Sequence, residues 1–301
     1  MGKFKYYVSA MRLRTLPLSV AGVSLGLMLA LADYKVHWTV ILFALLTTVC
    51  LQILSNVSNE LGDFLNGTDG DGRLGPAYSL TDGHLQKKDF KRMIALYVIL
   101  CVVFGLAMIR CSFGTFFAVE PLLFMVLGAA AILAAMRYTL GRNPYGYRGL
   151  GDLYVFVFFG LVSVAGAYFI ASHEMFWRIL LPASAIGAFS VAVLNVNNIR
   201  DMSTDAATRI TIPLKIGETG AKVYHTCLIA VGWCCMAAYS MMRVYDIWHY
   251  LFVLTLPLFI VHLAGVWKRS GKDLDPMLPL LSVSVFCFAL LGGLGYLIYL
   301  L

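Results

Sequence analysis

Residues Leu54–Gly72 read LSNVSNELGDFLNGTDGDG. Residues 36–59 carry no Asp, Glu, Lys or Arg; then Glu60, Asp63, Asp69 and Asp71 arrive together, with Asp82 further on. An uncharged run of that length can cross the roughly 30 Å hydrocarbon core of a bilayer, which takes about 20 apolar residues in a helix. Spanning helices usually end in aromatic or basic anchors. This one ends in amides and carboxylates, so the reading of the chain turns on what those oxygens do.

The surrounding composition supports a membrane setting. The 301 residues are 60% hydrophobic and 13% charged, about half the 25% charge typical of soluble domains. Uncharged runs cover 15–32, 36–59, 93–109, 121–136, 153–173, 179–199, 223–242, 247–267 and 276–301. These predict an all-α polytopic membrane protein, one domain over 1–301, with nine transmembrane helices. The 121–136 run is short and is expected to extend past Glu120 toward Phe116. Long continuous runs exclude a β-barrel, whose strands alternate over about ten residues. No cleavable signal follows the basic N-terminus. The seven cysteines have no CxxC spacing and read as small buried hydrophobes.

Nine spans divide the loops between two sides. One side, with the N-terminus, holds 19 of the 23 Lys and Arg residues. That asymmetry places the N-terminus in the cytoplasm and the C-terminus outside the inner (cytoplasmic) membrane. The net charge of +7 is then mostly topological and implies no nucleic-acid partner. Of the 16 acidic residues, 12 share the basic side, where anionic headgroups would not recruit them.

At about 100° per residue, Asn56, Asn59, Glu60 and Asp63 form one polar stripe at the end of span 2, and Gly67 is expected to break the helix. A second stripe ends span 6 in NVNNIRDMSTD, where Asn197, Asp201 and Asp205 are spaced i, i+4, i+8. Both spans are even-numbered, so both stripes emerge on one side and can meet across a central cavity. Hard oxygen donors at this density suit Mg²⁺, which commonly joins carboxylates to substrate phosphates. Intramembrane carboxylates are costly and mark function.

The two stripes resemble the paired Asp-rich motifs of the UbiA superfamily of intramembrane aromatic prenyltransferases. MRLRTLPLS (11–19), YTLGRNPYGYRGLGD (138–152) and TRITIPLKIG (208–217) are similar to the branch that prenylates 1,4-dihydroxy-2-naphthoate in menaquinone biosynthesis. The resemblance implies nine helices around a central cavity with a lateral opening for an isoprenoid tail. It implies polyprenyl diphosphate as donor, 1,4-dihydroxy-2-naphthoate as acceptor with loss of its carboxylate, and Mg²⁺ as cofactor. Asn59, Asp63 and Asp69 would form one metal half-site, supported by Asn56 and Glu60, and Asn197, Asp201 and Asp205 the other. Asp63, Asp69, Asp201 and Asp205 are the expected catalytic carboxylates.

Basic candidates for the diphosphate are Arg137, Arg142, Arg148, Lys91 and Arg209, with Asp152 expected to orient Arg148; Arg is suited to paired oxyanion contacts. Lys87, Lys88 and Arg92 read as membrane anchors. Tyr138, Tyr154, Phe156, Phe158 and Phe159 are aromatic faces that could favour an allylic cation. Arg200 falls about 100° off the Asp face. His225 and His262 read as packing or lipid-interface residues, and Asp273 and Asp275 as solvated. The competing readings are a 4-hydroxybenzoate acceptor, a CDP-alcohol phosphotransferase and an Asn/Asp-lined cation transporter.

Overall fold

The computed structural model describes residues 3–67, 79–80, 82–206, 208–243 and 246–298. Among the described residues, nine helices are long and apolar enough to cross a membrane: α1 Phe4–Asp33, α2 Trp38–Leu65, α3 Lys87–Phe113, α4 Val119–Arg137, α5 Gly151–Ser172, α6 Trp177–Arg200, α7 Ile212–Met241, α8 Ile247–Lys268 and α9 Gly271–Ile298. The described residues form no β-sheet; one isolated bridge joins Arg148 and Ile210.

Local sequence sets several boundaries. Helix α2 stops at Asn66, and Gly67 takes a positive φ of 68°, as its lack of a Cβ allows. Helix α3 starts after Gln86, whose backbone N–H donates to Asp89 Oδ2 at 2.9 Å, a capping-box bond. Helix α4 begins at Val119 and does not reach Phe116. Gly114 ends α3 with φ 70°, and the Phe117 N–H donates to Thr115 Oγ1, so local turn bonds hold the chain out of the helix there. Helix α1 is interrupted at Arg12 (φ 49°) and α7 at Gly217 (φ 76°).

Helix α6 is the buried axis and packs on α1, α5, α7 and α9. Phe189 on α6 meets Phe259 and Phe288 at centroid distances of 4.9 and 5.0 Å, within the range of favourable aromatic pairs. Gly160 and Gly187 let α5 and α6 touch: a Cβ on Gly160 would lie 2.5 Å from Gly187 Cα. Helices α2, α3 and α4 form a second group, with its own core around Leu54, Leu61, Phe90 and Met93. Helix α4 packs on α2 and α3 and leaves Leu122, Leu123, Val126 and Leu133 exposed.

The end opposite the two motifs is tied by Arg243, whose Nη1 and Nη2 donate to the two oxygens of Asp33 at 2.8 and 2.6 Å. Three of the cysteines, Cys111, Cys227 and Cys234, are exposed rather than buried; they lie on outward faces of α3 and α7, where a thiol meets lipid as readily as it meets a core. His225 and His262 are fully buried and face one another, Nε2 to Nε2, at 2.9 Å, so neither is a lipid-interface residue.

Candidate active site

The last three turns of α2 carry the first motif, and its residues divide the work. The Asn56 amide donates to Met11 O at 2.8 Å and to Thr15 Oγ1 at 2.9 Å, fastening the N-terminal segment to α2. Glu60 accepts from the Leu80 N–H at 3.2 Å and lies 4.0 Å from Arg12. Asn59 Oδ1 faces the Thr139 hydroxyl at 3.3 Å. That approach depends on Gly62, where a Cβ would fall 2.3 Å from Thr139 Oγ1. Asp63 Oδ1 accepts from the Tyr147 hydroxyl at 2.7 Å and from Arg209 Nη2 at 3.3 Å. Asp69, and with it any test of its metal role, lies outside the described residues.

The second motif closes on the first through Arg209. Its Nε lies 3.2 Å from Asp205 Oδ1 while Nη2 reaches Asp63, and the guanidinium sits 4.8 Å from the Tyr147 ring centroid. One cation thus joins carboxylates 142 positions apart in the sequence (205 minus 63). The Ile210 N–H donates to Tyr147 O at 2.9 Å, so backbone pairing holds the two loops in register. Burial raises the Asp205 carboxyl to about 6; Arg209 opposes that shift, and the charges of Asp201 and Asp63 add to it. Burial disfavours the Arg209 cation, but Asp63 and Asp205 outweigh it and hold its pKa above the ordinary value. Farther along the stripe, Arg200 grips Asp201 through Nε (2.8 Å) and Nη2 (2.6 Å) and donates to Asn197 Oδ1 at 2.9 Å.

Two cavities meet beside these motifs. An apolar cavity of about 350 Å³ lies between the two helix groups, lined by α2 and α4 on one side and by α1 and α5 on the other. Asn56 and Asn59 reach it from α2, and Tyr138, Tyr145, Tyr154, Phe158 and Phe159 supply aromatic faces. Tyr145 and Tyr154 stack at 3.8 Å, and Tyr145 is fixed by its hydroxyl bond to Ala134 O at 2.8 Å. Along this wall α5 winds in π-type turns over Phe156–Gly166, a departure that concentrates at functional sites. A second cavity of about 260 Å³ is rimmed by Arg12, Arg14, Asn197, Arg200 and Asp275 and shares Gln52, Val155, Phe159 and Leu194 with the first.

Of the basic candidates, Arg209 joins the motifs, whereas Arg137, Arg142, Arg148 and Lys91 are exposed and line neither cavity. Asp152 does not orient Arg148: it accepts from the Tyr224 hydroxyl at 2.9 Å, and Arg148 donates to Asn143. The chain turns at Gly149, with φ 78°, between the two. Asp275, expected to be solvated, has a side chain that is 36% exposed, but it is also tied, with Arg200 Nη1 donating to its Oδ1 at 2.8 Å. Phe156, unlike the other four aromatic candidates, packs against Gly187 and is not a cavity residue. Arg12 and Arg14 line the second cavity and were left unassigned by the sequence reading. Their signal was the Arg-x-Arg spacing ahead of the Pro17 helix start.

The family model for the UbiA prenyltransferase family matches residues 19–283. The chain belongs to the UbiA prenyltransferase family. It is 36% identical over 284 residues to a 1,4-dihydroxy-2-naphthoate octaprenyltransferase of Escherichia coli K12, covering 93% of this chain and 90% of that one. A protein of the same description from Mycobacterium tuberculosis is 33% identical, covering 98% and 99%. Among solved structures, a UbiA homologue from Aeropyrum pernix K1 superposes with a TM-score of 0.70 at 16% identity, covering 97% of this chain and 98% of that one. A UbiA homologue from Archaeoglobus fulgidus, bound to GPP and Mg²⁺, superposes with a TM-score of 0.65 at 14% identity, covering 97% and 99%. At such identities the structural likeness concerns the fold: a multi-pass, helical membrane prenyltransferase.

Proposed function

We propose that this chain transfers a polyprenyl group from polyprenyl diphosphate to 1,4-dihydroxy-2-naphthoate, with loss of the ring carboxylate to give demethylmenaquinol. The observation that carries the reading is the junction of Asp63 and Asp205 on Arg209 beside an aromatic-walled apolar cavity. The relatives described as 1,4-dihydroxy-2-naphthoate octaprenyltransferases support the acceptor. The motif end is the cytoplasmic one, consistent with the clustering of Lys and Arg.

The donor set fits a divalent cation. Three carboxylates (Asp63, Asp201 and Asp205) and the amides of Asn59 and Asn197 are hard oxygen donors, and burial of Asp205 among like charges favours added positive charge. Among the described residues no three His, Cys, Asp or Glu side chains form a ready-made cage; the proposed set adds the amide oxygens, and Asp69 on the strength of the motif alone. When bound, Mg²⁺ supplies charge neutralisation for the departing diphosphate.

The chain's own residues do the rest. Arg209 stands beside the cation donors and stabilises charge that develops on the diphosphate as the C–O bond breaks. Tyr138, Tyr154 and Phe158 present π-faces to the allylic carbon, each worth about 2 kcal/mol when desolvated, and the apolar lining keeps out water that would capture the cation. The smaller cavity takes the bicyclic acceptor, with Arg12 and Arg14 offering charge-assisted bonds to its carboxylate.

The testing experiment supplies the purified protein in liposomes with Mg²⁺, farnesyl diphosphate and either aromatic acid. Prenylated naphthoquinol with stoichiometric CO₂ is expected from the naphthoate; equal or faster turnover of 4-hydroxybenzoate overturns the acceptor assignment. The Asp205 carboxyl must be ionised to hold a cation, and it takes up its proton below about pH 6. Proton and metal therefore compete there. The Mg²⁺ concentration for half-maximal rate should be flat above pH 7 and rise by about tenfold per pH unit well below 6. Mg²⁺ titrations at pH 5, 6 and 7.5 measure it.

A further inference from the structure

Arg200 is nearly sequestered, with 3% of its side chain exposed, and its guanidinium serves both Asp201 and Asp275. Asp201 takes two of its donors, Asn197 shares one, and Nη1 turns to Asp275 on α9. A bidentate arginine is a strong competitor for a carboxylate that must also ligate a metal. A second carboxylate on the opposite edge of the same guanidinium weakens that competition, because one positive charge is divided between two anions.

We propose that Asp275 is a positioning residue for the reaction: it holds Arg200 from α9, draws part of its charge away from Asp201 and so leaves Asp201 able to ligate a divalent cation. This rests on the reading that Asp201 belongs to the cation site. The arrangement has an electrostatic sign that simple packing lacks. Neutralising Asp275 makes the site one unit more positive and turns the whole charge of Arg200, already bidentate on Asp201, toward that carboxylate. Both effects weaken binding of a divalent cation, whereas binding of an anionic diphosphate is left unchanged or strengthened. For charges several ångströms apart in a partly buried site, the change in cation affinity is about tenfold.

The test titrates Mn²⁺ into the detergent-solubilised full chain without donor and follows free Mn²⁺ by electron paramagnetic resonance. Wild type, Asp275→Asn and Asp275→Glu are compared, and the KM for farnesyl diphosphate is measured at saturating Mg²⁺. The expected result is an Mn²⁺ Kd about tenfold higher in Asp275→Asn, restored by Asp275→Glu, with the donor KM equal or lower. An Mn²⁺ affinity within twofold of wild type in Asp275→Asn overturns the proposal. So does a parallel loss of Mn²⁺ and donor affinity that Asp275→Glu does not rescue, which marks a structural prop. A wild-type chain that transfers prenyl groups yet binds no Mn²⁺ overturns the cation-site reading itself, and this proposal with it.

Discussion

Alanine at Asp63 is expected to lower kcat/KM by about 10³-fold, the scale seen when a group acting directly on developing charge is removed. Asp63 receives the Tyr147 hydroxyl at 2.7 Å and Arg209 at 3.3 Å, and in the proposed reaction it also ligates the divalent cation. Its loss removes a cation ligand and one of the two carboxylates that place Arg209. The fold should survive, because the last turns of α2 are also held by Asn56 on Met11 and Thr15. Proteoliposome assays with labelled donor, paired with size-exclusion profiles, measure both quantities. Activity of Asp63→Ala within tenfold of wild type, on an intact fold, would remove Asp63 from the site. Asp63→Asn separates charge from shape: it keeps an oxygen that can accept from the Tyr147 hydroxyl and should still lose most of the activity.

Methionine at Arg209 has the second large effect, and this one reaches stability. Arg209 is shared by two carboxylates that are each 9% exposed. Removing one partner of a mostly buried ion pair costs about 3 kcal/mol, because the charges left behind are uncompensated. The Arg209→Met protein should unfold at lower temperature in chelator, and Mg²⁺ should recover much of the loss by taking over the neutralisation. Arg209→Lys should fall between the two, since an ammonium on a flexible stem cannot match a planar fork spanning two carboxylates and lying over the Tyr147 ring. Thermal unfolding with and without Mg²⁺ gives the comparison. A loss of stability in Arg209→Met that Mg²⁺ does not touch separates Arg209 from the cation site.

The frame was legible in the sequence because the bilayer sets the length of every uncharged run. Nine runs became nine helices among the described residues, and Gly67 ended α2 where its position implied. The polar stripes were legible for the same reason: residues three and four apart share a helix face. Distant pairings were not readable. Nothing near Arg200 indicates that its second partner is Asp275, 75 positions away. Asp152 has a nearby arginine but bonds instead to Tyr224 on α7. Arg12 reaches the smaller cavity through a left-handed backbone at φ 49°, a conformation that an arginine does not advertise. Arg142 and Arg148 had the loop composition of anion binders, yet they are exposed and line neither cavity.

Helix α4 packs on α2 and α3 and stacks Phe124 on Phe169 of α5 at 5.8 Å, while Leu122, Leu123, Val126 and Leu133 face outward and Leu127 borders the apolar cavity. For the prenyl transfer proposed above, a wall one helix thick would leave a greasy product a short way into lipid, and turnover compared in fluid and stiff bilayers measures whether exit by that way limits the rate.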